Sequence, residues 1–454
     1  MCFGTRRAGA LLFLSSALFA QPERLSPSIP RATPPGPHGS AAIAIDPAGD
    51  IVRRGSRQIR IDLPGGESVI AELARHTLRG VRSAHWRGSL VFEPSSDVSL
   101  TWHDGVLAGT IRRASAVYEI RPASAGSVVE RLNLASFPPC AGARTVRPNF
   151  AADTTGAPNA VTASAAADAV TEITLLSVYT PQARDAAGGV TQIAAQIQAA
   201  VDAANGAFVN SQVSAQYTLV HTALANYNDS GNPSADLDWV STNANVAALR
   251  DQYGADMVSL IVSNGGGGCG IGFVMRSPGP GFADSAFQVT DRDCAVGNLT
   301  FAHEHGHNSG LEHDRANGTA PSSASYPWSF GHYVNAQFRT VMSYASPCPN
   351  GCTRVAYYSN PGVSYLGYAT GIAEQRDNAR TLRLTVPIVA GFRGGSTATP
   401  PQAPSLLSAV SVSASQINLS WTDNANDETG FRIERSSSGG AFAEVAVVGA
   451  NVTA

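Results

Sequence analysis

The sequence predicts an α/β domain, built on a twisted mixed sheet with one helix carrying its chemistry. A β-rich region precedes it and a partial β-sandwich follows. Three observations lead there. Between residues 169 and 393, apolar runs such as ITLLSVYT and DMVSLIVS alternate with segments of helical period. Between residues 21 and 160, runs such as RQIRIDL, SLVFEP and AVYEIRPA alternate polar and apolar residues between Gly, Ser and Pro breaks. After the linker GGSTATPPQAP (394–404), the stretch SVSASQINLSWTDNANDETGFRIERSS repeats with period two around an Asn/Asp-rich turn.

In chain order, Arg6 and Arg7 precede the apolar run from Ala8 to Ala20 and a polar stretch follows at once, which predicts a secretory signal peptide over residues 1–20. That run is too short to span a bilayer, and no other stretch reaches the roughly 20 apolar residues needed. An exported, extracellular protein without a membrane span is expected. Residues 21–160 form the β-rich region, and the Ala/Thr-rich AADTTGAPNAVTASAAADA is a flexible linker. In the main domain, ITLLSVYT, QYTLVHTA, DMVSLIVS, GIGFVM and SAFQVT read as strands and NVAALRDQYG as a helix. Ile193, Ile197, Val201, Ala204 and Phe208 lie three or four apart, so they share one face of another helix.

Composition narrows the chemistry. Charged residues are only 14% of 454, against roughly 25% in an average globular chain, while 44 Gly and 27 Pro suit a loop-rich exported protein. All 31 basic residues are arginine, which removes the lysine-dependent chemistries of P-loops, kinases and Schiff-base cofactors. Residues 1–150 carry 18 Arg against 11 acidic residues, a charge of +7; residues 151–454 carry 13 against 23, a charge of −10. Opposite fields suit two parts of one chain that dock on each other. No nucleic-acid motif accompanies the basic half, so no nucleic-acid partner is expected.

Cys2 belongs to the signal peptide, which leaves five cysteines. Cys269, Cys294, Cys348 and Cys352 lie in the acidic half, where an oxidising compartment favours two disulfides out of three possible pairings. Sequence proximity favours Cys269 with Cys294 and Cys348 with Cys352. Cys140, in SFPPCAGAR, has no partner.

The decisive segment is NLTFAHEHGHNSGLEHD, residues 298–314. His303 and His307 are four apart, so on a helix both imidazoles reach one metal ion, while Glu304 can reach a water beside it without ligating. Gly310 lets the helix stop and the chain turn, which brings His313 to the same point. Three histidines leave one tetrahedral position open, the pattern of a catalytic zinc site. His305 points away from that face, and His221 and His332 read as structural.

With its extension to HExxHxxGxxH and Met342 in TVMSYAS 29 residues beyond His313, the chain resembles the metzincin metallopeptidases. The resemblance implies Zn2+ held by His303, His307 and His313, Glu304 as general base and Met342 as the floor of the site. Asp314 resembles the reprolysin branch, whereas Tyr344 resembles the astacin and serralysin tyrosine that binds zinc or stabilises the oxyanion. The stretch YYSNPGVSYLGYATGIAEQRDNAR resembles the bacterial peptidyl-Asp metalloendopeptidases over residues 169–393. A secreted zinc endopeptidase made as a zymogen follows, acting on protein or peptide substrates, with its own propeptide (21–160) as inhibitor. Cys140 is then the candidate latency switch on the metal, as in related zymogens. Arg354, beyond the Met-turn, is the candidate cation of the substrate pocket, and cleavage on the amino side of aspartate would let Ala152–Asp153 or Ala167–Asp168 be processed. The rival readings are a broad-specificity metzincin with an apolar pocket and a non-catalytic, zinc-containing surface-binding protein. The stretch from residue 405 to 454 resembles a fibronectin type III module through INLSWTD and GFRIERS, though such a sandwich needs about 90 to 100 residues.

Overall fold

A computed structural model describes residues 22–25, 31–45, 51–80, 82–123, 126–145, 170–393, 404–413, 415–424, 430–435, 443–449 and 452–454. The signal-peptide stretch, the Ala/Thr-rich linker with its two Ala–Asp bonds, and residues 394–403 lie outside them.

Alternating polar and apolar residues make a sheet with one wet and one dry face, and the N-terminal region takes that form. Among the described residues it is a sheet of ten strands. Seven run consecutively as neighbours, from Gln58–Asp62 through Ser68–Leu78, Ser83–Leu90, Glu93–His103, Val106–Arg112 and Val117–Ala123 to Gly126–Leu132, each antiparallel to the next. Trp86 is fully buried at its centre with Ile59, Ile61, Leu100 and Ile111, and the indole N–H donates to the Ser56 carbonyl at 2.8 Å.

The second sheet has six strands in the order Ala143–Arg144, Gly270–Phe273, Phe287–Asp291, Met257–Val262, Thr171–Tyr179 and Ala215–Leu224. Its last four are mutually parallel, as strands joined by helical crossovers must be. Every residue of Met257–Val262 is buried, which explains the unbroken apolar run. Gly270–Phe273 turns antiparallel to its neighbour Phe287–Asp291. The outermost strand, Ala143–Arg144, comes from the N-terminal region and runs parallel to Gly270–Phe273. The composition break near residue 160 therefore does not separate the two sheets.

Helix Val190–Asn210 lies between them. Ile193, Ile197, Val201, Ala204 and Phe208 are all buried in the core of the second sheet, as their spacing predicts. The remaining face is covered by the N-terminal sheet. Asp202 is fully buried there, bound by both terminal nitrogens of Arg79 and by the Thr101 hydroxyl at 2.6 Å. Burial opposes its ionisation, but Arg79, followed by His85, outweighs that and holds the carboxyl below its ordinary value. Arg87 reaches Asn210 at 2.7 Å, Arg144 pairs with Asp238 at 2.8 Å, and Arg112 donates to the Val296 and Gly297 carbonyls at 2.8 Å each. The basic half thus docks on the acidic half, with Arg79 and Arg144 meeting its carboxylates, while most other paired arginines among the described residues meet carboxylates of their own region.

Two further helices, Pro233–Thr242 and Asn378–Val389, are not among those expected from the sequence, although the second buries Ala379, Leu382, Val386 and Val389 at helical spacing. Their caps mark them: Asn232 and Asp377 accept from the first-turn amides of Ala235 and Arg380 at 3.3 and 2.9 Å. Disulfides join Cys269 to Cys294 and Cys348 to Cys352, the pairing that proximity favours. The C-terminal strands form two separate ladders, Ser405–Ser413 with Gln416–Thr422 and Gly430–Arg435 with Ala443–Gly449. Trp421 packs on Phe431 at 5.3 Å between ring centroids.

Glu119 makes the contact between the halves sensitive to pH. Its buried carboxylate accepts from the Gly297 amide at 3.0 Å. Burial, then Glu130 and Asp293, push its pKa up to about 8 against the pull of Arg121 and Arg112. A raised value means that the docked state binds the proton more tightly, so this contribution is full below the ordinary value of 4.5 and is lost as pH rises through about 8. Resistance of the full chain to limited proteolysis is expected to fall between about pH 5 and 8.5, and to fall less steeply in Glu119→Gln. Equal slopes would remove Glu119 from the contact.

Candidate active site

The helix Thr300–Asn308 is buried along its whole length. Its far end is tied down by Asn308, whose amide donates to the Phe273 and Phe287 carbonyls at 2.8 and 3.0 Å. Gly310, at φ 87°, ends the helix in the left-handed region, where its amide donates to the His307 carbonyl at 2.9 Å. The chain then doubles back into the strand Glu312–Asp314. His303, His307 and His313 converge as the spacing predicts, with ring centroids 4.6 to 5.1 Å apart.

Their ring nitrogens are sorted by backbone carbonyls. Nδ1 of His303 faces Val341 O at 2.9 Å, Nδ1 of His307 faces Leu311 O at 2.8 Å, and Nδ1 of His313 faces Asn317 O at 3.4 Å. A carbonyl only accepts, so each Nδ1 carries the proton and each Nε2 presents a lone pair inward. Burial lowers the pKa of all three and keeps them neutral. The Nε2 atoms of His307 and His313 face one another at 3.0 Å, and buried Nε2 of His303 has no hydrogen-bond partner. Facing lone pairs repel unless a cation lies between them, so these residues fit a metal ion.

A fourth side chain that could donate to a metal there is Cys140. Its thiol sulfur and the three histidine nitrogens all lie within 4.8 Å of one another, and all four residues are buried. The thiol is delivered by an extended segment: Pro139 O accepts from the Cys269 amide at 2.9 Å, the Ala141 amide donates to Gly270 O at 2.8 Å, and Arg144 O accepts from the Val274 amide at 2.9 Å. This segment occupies the free edge of Gly270–Phe273. Burial, and next the Glu304 carboxylate, push the thiol well above its ordinary pKa, so a thiolate here needs a cation beside it.

Glu304 is fully buried, and its carboxyl group lies against the Cys140 thiol. Burial raises its pKa to about 8. Tyr344 donates its hydroxyl to the Cys140 carbonyl at 3.2 Å and packs on His313 at 4.2 Å between centroids. Met342 is fully buried beneath the helix: a Cβ at Gly306 would stand 2.6 Å from its sulfur. Arg354 is buried behind Tyr344, donating to Asn298 O at 2.9 Å and Ser343 O at 3.3 Å. His305 packs on Phe301 and Tyr217, away from the cluster, and His221 stacks on Tyr253. The disulfide Cys269–Cys294 anchors the edge strand that carries the Cys140 segment, whereas Cys348–Cys352 closes a short loop beyond Tyr344.

Three residues take parts not assigned to them from the sequence. Asp314 accepts from the Tyr344 amide at 2.9 Å and the Ser343 hydroxyl at 3.3 Å, clamping the turn to the strand that ends the motif. Arg339 lies beside Arg354 across a strand pair. Gly270 lets the helix approach the edge strand, since a Cβ there would stand 2.8 Å from both Glu304 Oε1 and Val289 O. The glycines of GIGF were the visible signal, for a strand interior tolerates Gly where another element comes close.

Residues 170–359 match the family described as Reprolysin_5, metallo-peptidase family M12. The chain is similar to a peptidyl-Asp metalloendopeptidase from Xanthomonas campestris pv. campestris, at 33% identity over 351 residues, covering 74% of this chain and 78% of that one. A protein of the same name from Stenotrophomonas maltophilia (strain R551-3) is 30% identical over 318 residues, covering 66% and 72%. One from Pseudomonas aeruginosa is 34% identical over 278 residues, covering 53% and 46%.

Gly270→Ala tests the close approach. The added methyl has backbone on one side and the Glu304 carboxylate on the other, so overpacking should cost about 1–3 kcal/mol and displace the carboxylate. Thermal unfolding should register the loss, and the activity of the processed protein should fall by more than tenfold. A variant with wild-type stability and rate would show that the strand and helix can separate freely.

Proposed function

Because the chain belongs to metallopeptidase family M12 and is a metalloendopeptidase, we propose that it is a secreted zinc enzyme of metzincin type. In this reading it is made as a zymogen and cleaves on the amino side of aspartate. The observation that carries the reading is the buried cluster of Cys140, His303, His307 and His313. Three neutral imidazoles and one thiolate form a closed tetrahedral donor set that suits zinc, and loss of the thiol leaves three ligands and an open position. Residues 21–160 are then the propeptide and inhibitor. Two disulfides and the apolar N-terminal stretch support export.

Zinc held there supplies Lewis-acid charge that polarises a scissile carbonyl and acidifies water. Glu304 takes the proton from the attacking water and returns it to the leaving amine. The Tyr344 hydroxyl, which meets the Cys140 carbonyl in the docked state, becomes available to a substrate carbonyl oxygen when that segment leaves. The edge of Gly270–Phe273 is freed at the same time and can align an extended peptide through its backbone. The Asp preference draws on the names of the similar proteins, and it would allow processing at Ala152–Asp153 or Ala167–Asp168. The C-terminal strands with Trp421 on Phe431 are read as fibronectin type III-like.

One comparison tests base and switch together. Full-length Cys140→Ala is expected to hydrolyse casein before any processing, whereas the wild-type precursor stays silent until cut. Adding Glu304→Ala to that variant should lower the rate by about 10² to 10⁴ while zinc content stays the same. A silent Cys140→Ala precursor would assign latency to steric cover alone, and a fully active double variant would sink Glu304 as the base.

A further inference from the structure

Arg339 and Arg354 are direct register partners on the parallel strands Phe338–Arg339 and Thr353–Arg354. They are 5% and 7% exposed, and among the described residues neither forms an ion pair. Arg339 donates to the Ser343 carbonyl at 2.7 Å and Arg354 to the same oxygen at 3.3 Å, while both buried Nε–H groups lack a partner. Bracing the turn accounts for some of these N–H groups. It leaves two adjacent positive charges desolvated and without an ion-pair partner, Asp314 and Glu304 acting on them only from a distance, an arrangement that costs stability unless an anion is received. Burial pushes Arg354 down to about 10, and burial followed by the charge of Arg354 pushes Arg339 down as well.

Both arginines line a cavity of about 270 Å³ that also touches Tyr344. Its opposite wall is made by Leu134, Phe137 and Pro139 of the N-terminal region. Pro139 immediately precedes Cys140, so the cavity lies one residue from the metal cluster along the bound segment. From Asn133 to Gly142 that segment holds no acidic residue, and it covers the cavity with apolar groups without neutralising it.

We infer that Arg339 and Arg354 together form the specificity pocket for the aspartate that follows the scissile bond, sharing its carboxylate between two guanidinium forks. The inference rests on the endopeptidase reading above and extends it from one candidate arginine to a pair. A second consequence concerns direction. The covering segment runs parallel to Gly270–Phe273 with its N-terminal side over the cavity. A substrate whose C-terminal side enters the same cavity must run antiparallel to that strand, opposite to the covering segment.

The test uses the full chain, expressed with its N-terminal region and allowed to process, on peptide pairs that carry Asp or the isosteric Asn after the scissile bond. The wild type is expected to favour Asp in kcat/KM by on the order of 10²-fold or more, because only the charged side chain answers the buried pair. R339M and R354M are each expected to lower the Asp-to-Asn ratio by about tenfold or more. Should the methionine variants lose their metal or fold, R339K and R354K replace them. These keep the charge without the planar fork, and the ratio should still fall severalfold. A wild-type ratio in both members of either variant pair would overturn the pocket while leaving the Asp preference intact. A ratio near one in the wild type would instead overturn the Asp preference, and the pocket with it.

Discussion

Three imidazole lone pairs pointed at one buried spot are the constraint around which the rest of the structure is arranged. Each Nδ1–H is committed to a backbone carbonyl, and two of the Nε2 atoms stand 3.0 Å apart. Such a cluster is unfavourable without a cation, so the surrounding fold must hold the rings in place by itself. Asn308 ties the helix to two strands, Gly310 turns the chain, and Asp314 clamps the strand bearing His313 to the turn bearing Tyr344. Met342 fills the space under Gly306. The metal site is thus preorganised by elements widely separated in sequence.

The N-terminal half answers the same constraint from outside. Its large sheet rests on helix Val190–Asn210 through Asp202, with Arg79 and Thr101 sharing the carboxylate. Its terminal segment completes the second sheet and delivers a thiol to the histidines. The two contacts reinforce each other, because a docked sheet raises the local concentration of the segment at the edge strand. The segment meets the groups expected to handle substrate: the edge strand, the Tyr344 hydroxyl and the cavity of Arg339 and Arg354.

The convergence of the three histidines was legible because four-residue spacing on a helix is a geometric statement in itself, and Gly310 announced the turn that brings in His313. Cys140 was legible as an odd thiol and a candidate switch; its place beside the three histidines depends on pairing between Ala143–Arg144 and Gly272–Phe273, which no local pattern encodes. Arg339 could not be found from sequence, since fifteen residues and a turn separate it from Arg354 and their adjacency exists only as strand register. The helix Val190–Asn210 showed its apolar face, but the burial of Asp202 depends on the N-terminal sheet that covers the opposite face. Helix Pro233–Thr242 has no strong apolar stripe, so periodicity passes over it, whereas Asn378–Val389 buries one but carries Pro387, a residue that argues against a helix interior.

The central claim is that Cys140 and the three histidines hold one metal ion in the full chain. X-ray absorption at the zinc edge reads that donor set directly. The account predicts one sulfur scatterer at about 2.3 Å with nitrogens at about 2.0 to 2.1 Å in the unprocessed protein, and loss of the sulfur once the N-terminal region is removed. A shell of nitrogen and oxygen alone in the unprocessed, zinc-loaded chain would contradict it.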